Sequence, residues 1–174
     1  MKTNARNNKK LNIISLIKED HKPLKECIAV LKNAHAASKS KKKILARFLE
    51  SLSRHAFAEE RALYAAMELK GGMNIDVIEA LQEHKIAHTL ATELEEIGIH
   101  GSWSDELSAK SKVLAELVEH HVKEEESKLL PLVRKQSSDE ELNEMGERYN
   151  EFYAEKLGTD ESSTYQGMTQ HNVL

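Results

Sequence analysis

The stretch His121-Val122-Lys123-Glu124-Glu125-Glu126-Ser127-Lys128-Leu129-Leu130-Pro131 decides the fold. Its histidine is followed four residues later by a carboxylate, and on a helix that spacing stacks His121 and Glu125 on one face. Steps of three and four through this region give Leu107, Leu114, Val118, His121, Glu125, Leu129 and Leu132. Both polar residues therefore fall inside an apolar stripe. A histidine and a glutamate buried side by side are costly unless something satisfies them, and a metal ion does so at once.

The same device stands earlier in the chain, in His55-Ala56-Phe57-Ala58-Glu59-Glu60-Arg61-Ala62-Leu63-Tyr64. Its stripe reads Ile44, Phe48, Leu52, His55, Glu59, Leu63, Met67. Both segments carry a histidine, acidic residues four and five places on, and then an apolar residue. Two such pairs in register make a strong signal.

Composition sets the class. The chain has 174 residues, enough for one domain with a proper core, with 7 glycines, 2 prolines and 31% charged residues against 5% aromatics. That balance suits helical hairpins. A net charge of -4 and the lack of a basic aromatic patch argue against nucleic-acid binding. No apolar run reaches the length of a membrane span, and no uninterrupted apolar core follows the basic start as a secretion signal requires. The lone Cys27 excludes an internal disulfide and fits a reducing, cytoplasmic compartment. As a small apolar helix residue it reads as core.

Taken in order, residues 1–10 are expected to be a disordered leader. Helix A is predicted over about 11–37, with stripe Ile14, Ile17, His21, Leu24, Ile28, Leu31, His35 and with Pro23 kinking it or lying near a first turn. Ser38 to Lys43 reads as a like-charged turn. Helix B follows over about 42–70 and stops at Gly71-Gly72. Asn74 caps helix C, whose stripe is Val77, Leu81, His84, His88, Ala91, Leu94. Ser104 caps helix D, and Pro131 perturbs only its end. Ser138-Asp139-Glu140-Glu141 is a capping box for a short fifth helix over about 139–157, with Leu142, Met145, Tyr149 and Phe152 on one face. Residues 158–174 read as a flexible tail. The expectation is an all-α, up-down-up-down four-helix bundle over 11–157.

In such a bundle, residues at one level lie equally far from the turn joining their helices. The midpoint from His21 to the His55/Glu59 pair is Lys39; the next two are Gly71-Gly72 and Ser104-Asp105. Each falls on or beside a predicted turn. His21, His55, Glu59, His84, His88, His121 and Glu125 are therefore expected to converge in one layer. His35 lies about 21 Å further along helix A and reads as a helix-end or core histidine. His120 points about 100° from His121, on a polar stripe; His100 lies in a turn and His171 in the tail. Glu60, Glu124 and Glu126 read as solvated. Five imidazoles and two carboxylates exceed a structural zinc site and suit two metal ions, with iron or manganese favoured by the carboxylates.

These residues carry a resemblance. His21, His55-x-x-x-Glu59, His84-x-x-x-His88 and His121-x-x-x-Glu125, with Asp20-His21, Glu83-His84 and Leu129-Leu130-Pro131, resemble the hemerythrin-like family, also called the HHE cation-binding domain. The resemblance implies a four-helix bundle around a non-haem, oxo- or hydroxo-bridged di-iron centre. It implies His84, His88 and His121 on one iron, His21 and His55 on the other, and Glu59 and Glu125 as bridges. Oxygen carriers of the family place an aspartate five residues after the last histidine, where Glu126 stands; Glu125 has the four-residue spacing of bacterial-type domains.

The implied function is binding or sensing of dioxygen or another small diatomic. The alternative is iron handling or nitric oxide and peroxide stress response, as in repair of iron–sulfur centres. A metal-free helical interaction module is disfavoured by the buried polar layer, and whether the chain is an enzyme stays open.

Overall fold

The computed structural model describes residues 12–69, 75–97 and 102–160. Asn12 opens helix α1 (Ile13–Lys32) by accepting the backbone N–H of Ile14 on its side chain at 3.0 Å. Its buried stripe is Ile13, Ile17, His21, Leu24, Cys27, Ile28 and Leu31, and it runs through Pro23. The helix ends before the predicted 37, because Asn33 turns extended and donates back to the Val30 carbonyl. His35 thus sits in the turn, exposed, and is neither core nor helical.

Helix α2 (Ser38–Glu59) starts earlier than predicted. The lysine run is its first turn: lysine is a good helix former, and Lys41 lays its aliphatic stem on the core and is buried. The rod continues through a widened π turn, Glu60–Tyr64, into α3 (Ala65–Leu69). Helix α4 (Ile75–Ile97) follows. The predicted stop at Gly71-Gly72 and cap at Asn74 lie outside the described residues. Ser104 caps α5 (Asp105–Glu124), accepting from the Leu107 N–H at 3.1 Å. This rod too passes through a π turn, Glu125–Leu129, into α6 (Leu130–Gln136). Pro131 falls at the start of α6, where a missing N–H costs least.

The predicted capping box closes reciprocally. Ser138 N–H donates to Glu141 Oε2 at 2.7 Å, and Glu141 N–H donates to Ser138 Oγ at 3.2 Å. Helix α7 (Asp139–Asp160) packs on α1, α2 and the first π turn through Leu142, Met145 and Tyr149. The predicted leader and most of the predicted tail lie outside the described residues.

Two apolar clusters fill the interior, and their order along the rods gives the topology. In α1, Ile13 and Ile17 belong to the first cluster, and Leu24, Ile28 and Leu31 to the second. The rod of α2 and α3 runs from the second cluster (Phe48, Leu52) to the first (Leu63, Met67). Helix α4 runs from Val77 in the first to Leu94 in the second, and α5 with α6 runs back from Leu114 to Val133. The four rods therefore alternate in direction. Every described crossover lies at a histidine or glutamate: His21, His55 and Glu59, His84, His121 and Glu125. The fold is an all-α, up-down-up-down bundle, with α7 covering the first cluster and no strand among the described residues. No helix of the described residues is long and apolar enough to cross a membrane.

Candidate metal centre

Between the two clusters the rods present six side chains to one another. His21 (0% exposed), Glu59 (0%) and Glu125 (2%) are completely enclosed; His55, His84 and His121 are buried. Two imidazole pairs form: His21 and His55, ring centroids 5.0 Å apart, and His84 and His121, 4.6 Å apart with their Nε2 atoms at 3.1 Å. The carboxylates lie between them. Glu59 Oε2 is 3.4 Å from Nε2 of both His55 and His84 and 4.0 Å from that of His121. Glu125 Oε2 is 3.0 Å from His21 Nε2. One ligand atom from each of His55, Glu59, His121 and Glu125 lies within 4.8 Å of all the others.

The remaining ring nitrogens face outward, and each is held. His21 Nδ1–H donates to Glu126 Oε1 (2.8 Å), His84 Nδ1–H to Glu60 Oε1 (3.0 Å) and His121 Nδ1–H to Glu83 Oε2 (2.9 Å). His55 Nδ1 meets the Tyr149 hydroxyl at 3.0 Å, and that hydroxyl donates to Asp20 Oδ2 at 2.8 Å. An ionised carboxylate only accepts, so the proton of a neutral ring facing one is on Nδ1, and Nε2 keeps its lone pair inward. Such outer partners fix ring orientation and raise ligand basicity in metal sites.

The inward atoms lack what the outward ones have. Nε2 of His21 and of His55, Oε1 of Glu59 and both oxygens of Glu125 are buried with no hydrogen-bond partner; the 3.0 Å approach of His21 Nε2 to Glu125 Oε2 lacks hydrogen-bond geometry. Buried polar atoms in native proteins are normally satisfied. The Nε2 atoms of His84 and His121 also meet at 3.1 Å, close enough for one cation to take both. Burial, reinforced by His21, pushes His55 well below the ordinary histidine range, so its ring is neutral and able to ligate. Burial and the neighbouring Glu125 push Glu59 well above the carboxylate range. Burial would raise Glu125 too, but Glu59 and His21 outweigh it and hold Glu125 low. The two carboxyl groups therefore titrate as a coupled pair. Nitrogen and oxygen donors around two enclosed carboxylates suit metal cations.

Six of the seven predicted side chains converge, and His88 does not. It is exposed on α4, while Ala87 takes the buried position one turn beyond His84. Positions three and four residues on lie about 60° to one side and about 40° to the other of the starting residue. The stripe reads equally well through either, and packing chose the small alanine. The four convergent imidazoles form two pairs, whereas the resemblance implied three on one ion, His88 among them, and two on the other. Glu125, not Glu126, is the inward carboxylate.

Two residues read as solvated are partners of the site. Glu60 and Glu126 each follow an inward glutamate and reach a histidine on another rod. The π turns explain how. Ala65 N–H bonds to the Glu60 carbonyl and Leu130 N–H to that of Glu125, five residues back, so each turn carries an additional residue just where consecutive carboxylates serve the centre. The repeated Glu-Glu after His-x-x-x was the signal for it. Lys25 also donates to both oxygens of Glu126, at 2.7 and 2.8 Å. Glu124 does remain with Lys128, and His120 is exposed, as read. Tyr149 was placed only on an apolar face, and its contact with His55, ninety-four positions distant, has no local signature. A second phenol, Tyr64, donates to Glu59 Oε2 at 3.3 Å.

A cleft of ≈ 20 Å³ leads to this layer, lined by Asp76, Glu79, Glu83 and Glu124, with His121 and Glu125 among its walls. It has room for about one water-sized group.

Neither the curated proteins nor the solved structures include a significant match to this chain. The family pattern described as the Hemerythrin HHE cation binding domain matches residues 12–133, more than half of the sequence. That span runs from the cap of α1 into α6 and contains all six convergent side chains, so the chain belongs to the hemerythrin HHE cation-binding family.

Proposed function

We propose that this protein is a non-haem di-iron protein that binds or senses a small diatomic ligand, dioxygen or nitric oxide. The observation that carries the reading is the pairing of four inward Nε2 atoms around two buried carboxylates, three of whose four oxygens lack partners. His21 and His55 would hold one ion, His84 and His121 the other. Glu59, equidistant from His55 and His84, would bridge, with Glu125 beside it. When bound, iron supplies one-electron redox change and open positions for a diatomic, since two imidazoles and shared carboxylates do not fill its coordination shell. The protein's own part is to orient the rings through Glu126, Tyr149, Glu60 and Glu83, and to exclude bulk water with the two apolar clusters. The narrow cleft favours a ligand of two atoms over a larger substrate.

The acidic lining of the cleft also supports the second reading, iron handling, because Asp76, Glu79, Glu83 and Glu124 would attract cations. Both readings are tested on protein purified without air, by metal analysis and optical spectroscopy during addition of dioxygen, then nitric oxide. A diatomic role predicts a stoichiometric spectral change with iron retained. Loss of iron to a chelator on exposure, with no ligand-dependent spectrum, supports iron handling and contradicts the diatomic reading.

A further inference from the structure

Helix α7 begins after the residues that the family pattern matches, yet it reaches the metal layer. Tyr149 is 1% exposed. Its hydroxyl lies 3.0 Å from His55 Nδ1 and 2.8 Å from Asp20 Oδ2. Chemistry fixes the direction of this chain of bonds. The Asp20 carboxylate only accepts, so the Tyr149 O–H donates to it. The phenol oxygen then has lone pairs to offer, and it accepts from His55 Nδ1–H. With its proton on Nδ1, His55 keeps the Nε2 lone pair facing Glu59, 3.4 Å away.

His55 differs in this from the other three. Their Nδ1 atoms are held by Glu126, Glu60 and Glu83, all carboxylates. A carboxylate on the outer nitrogen raises the basicity of a metal-binding imidazole. A neutral phenol relayed to a carboxylate transmits only part of that effect.

We propose that Tyr149 is a positioning residue of the metal centre, supplied by α7, which holds His55 as the Nδ1–H tautomer and through Asp20 sets its strength as a ligand. The ion on the His21 and His55 side is in consequence the more readily released of the two. This rests on the two-metal reading above. It makes α7 a working part of the centre in addition to a cover for the apolar cluster.

The test uses the full-length chain with three substitutions: Tyr149→Phe, Asp20→Asn and, as a control at an exposed position of α7, Glu151→Gln. In metal-free protein, long-range proton–nitrogen NMR of labelled histidines reads the His55 tautomer. In protein loaded with cobalt(II), transfer to a chelator reads the release of each ion. The wild type should show the Nδ1–H tautomer at His55 and two release phases. Tyr149→Phe should give mixed tautomers at His55 and release the faster ion about tenfold sooner or more, with the slower phase unchanged. Asp20→Asn, which retains every ring, should fall between, and Glu151→Gln should match the wild type.

A Tyr149→Phe protein with the wild-type tautomer and both wild-type release rates overturns the proposal, as does equal acceleration of both ions. If Tyr149→Phe does not fold, Asp20→Asn decides in the same way. Uptake of fewer than two ions by the wild type defeats the two-metal reading and with it the ranking of the ions; the tautomer result still judges Tyr149 by itself.

Discussion

His84 and His88 stand one turn apart on α4, and the structure sends one to the core and the other to water. Substitution separates them. His84→Ala should lose metal and change the spectrum, since it removes an inward Nε2 and strands Glu60. His88→Ala should leave metal content intact and alter stability by no more than about 0.5 kcal/mol, as exposed sites usually do. The adjacent pair on α5 gives the same contrast: His121→Ala should empty the centre and His120→Ala should not. Metal analysis of the four purified variants checks this; loss of metal in His88→Ala would mean that α4 turns when the centre is filled. The outer carboxylates give a graded result. Glu126→Ala removes the acceptor of His21 Nδ1–H and should weaken metal affinity roughly 10- to 100-fold without abolishing it, as chelator competition would measure.

At the scale of elements, most of the layout was legible because helices announce themselves by period and by caps. The level of the polar layer followed from equal distances to the turns, and the caps at Ser104 and Ser138 are present with their predicted bonds. What was illegible has physical reasons. A period of 3.6 does not choose between Ala87 and His88, which flank one line at similar angles; only close packing does. Consecutive residues on a regular helix point about 100° apart, so Glu60 and Glu126 looked solvated until the π turns changed the pitch locally. Tyr149 acts across the tertiary fold, and nothing near it in the chain names its partner. The cap of α7 makes an energetic prediction. Ser138→Ala removes the Oγ that accepts from Glu141 N–H, leaves the backbone donor of the box in place, and should cost about 1 kcal/mol. The melting temperature should fall while the metal content of the folded protein stays unchanged, because the cap lies far along α7 from Tyr149.

At the scale of the whole molecule, a belt of six polar side chains lies between two apolar clusters. Such a belt is stable when its inward atoms have partners, and five of those atoms have none from the protein. Metal that binds the folded state alone adds stability by mass action, about 2.7 kcal/mol at a hundredfold excess over the dissociation constant. For a chain of this size that amounts to roughly 5–10 °C in melting temperature. Chelation should therefore lower the calorimetric transition by this order, and restoring iron(II) without air should recover it. Coincident transitions with and without metal would mark the belt as purely structural.

The most direct test of the central claim is the number of metal ions per folded chain. Protein from iron-rich growth, purified without air and quantified by elemental analysis, should contain about two irons per chain, two being the number that four imidazoles and two shared carboxylates suit. The centre should be nearly silent in EPR once both ions are ferric and coupled. One tetrahedral zinc per chain, or no metal in a chain that is fully folded, would contradict it.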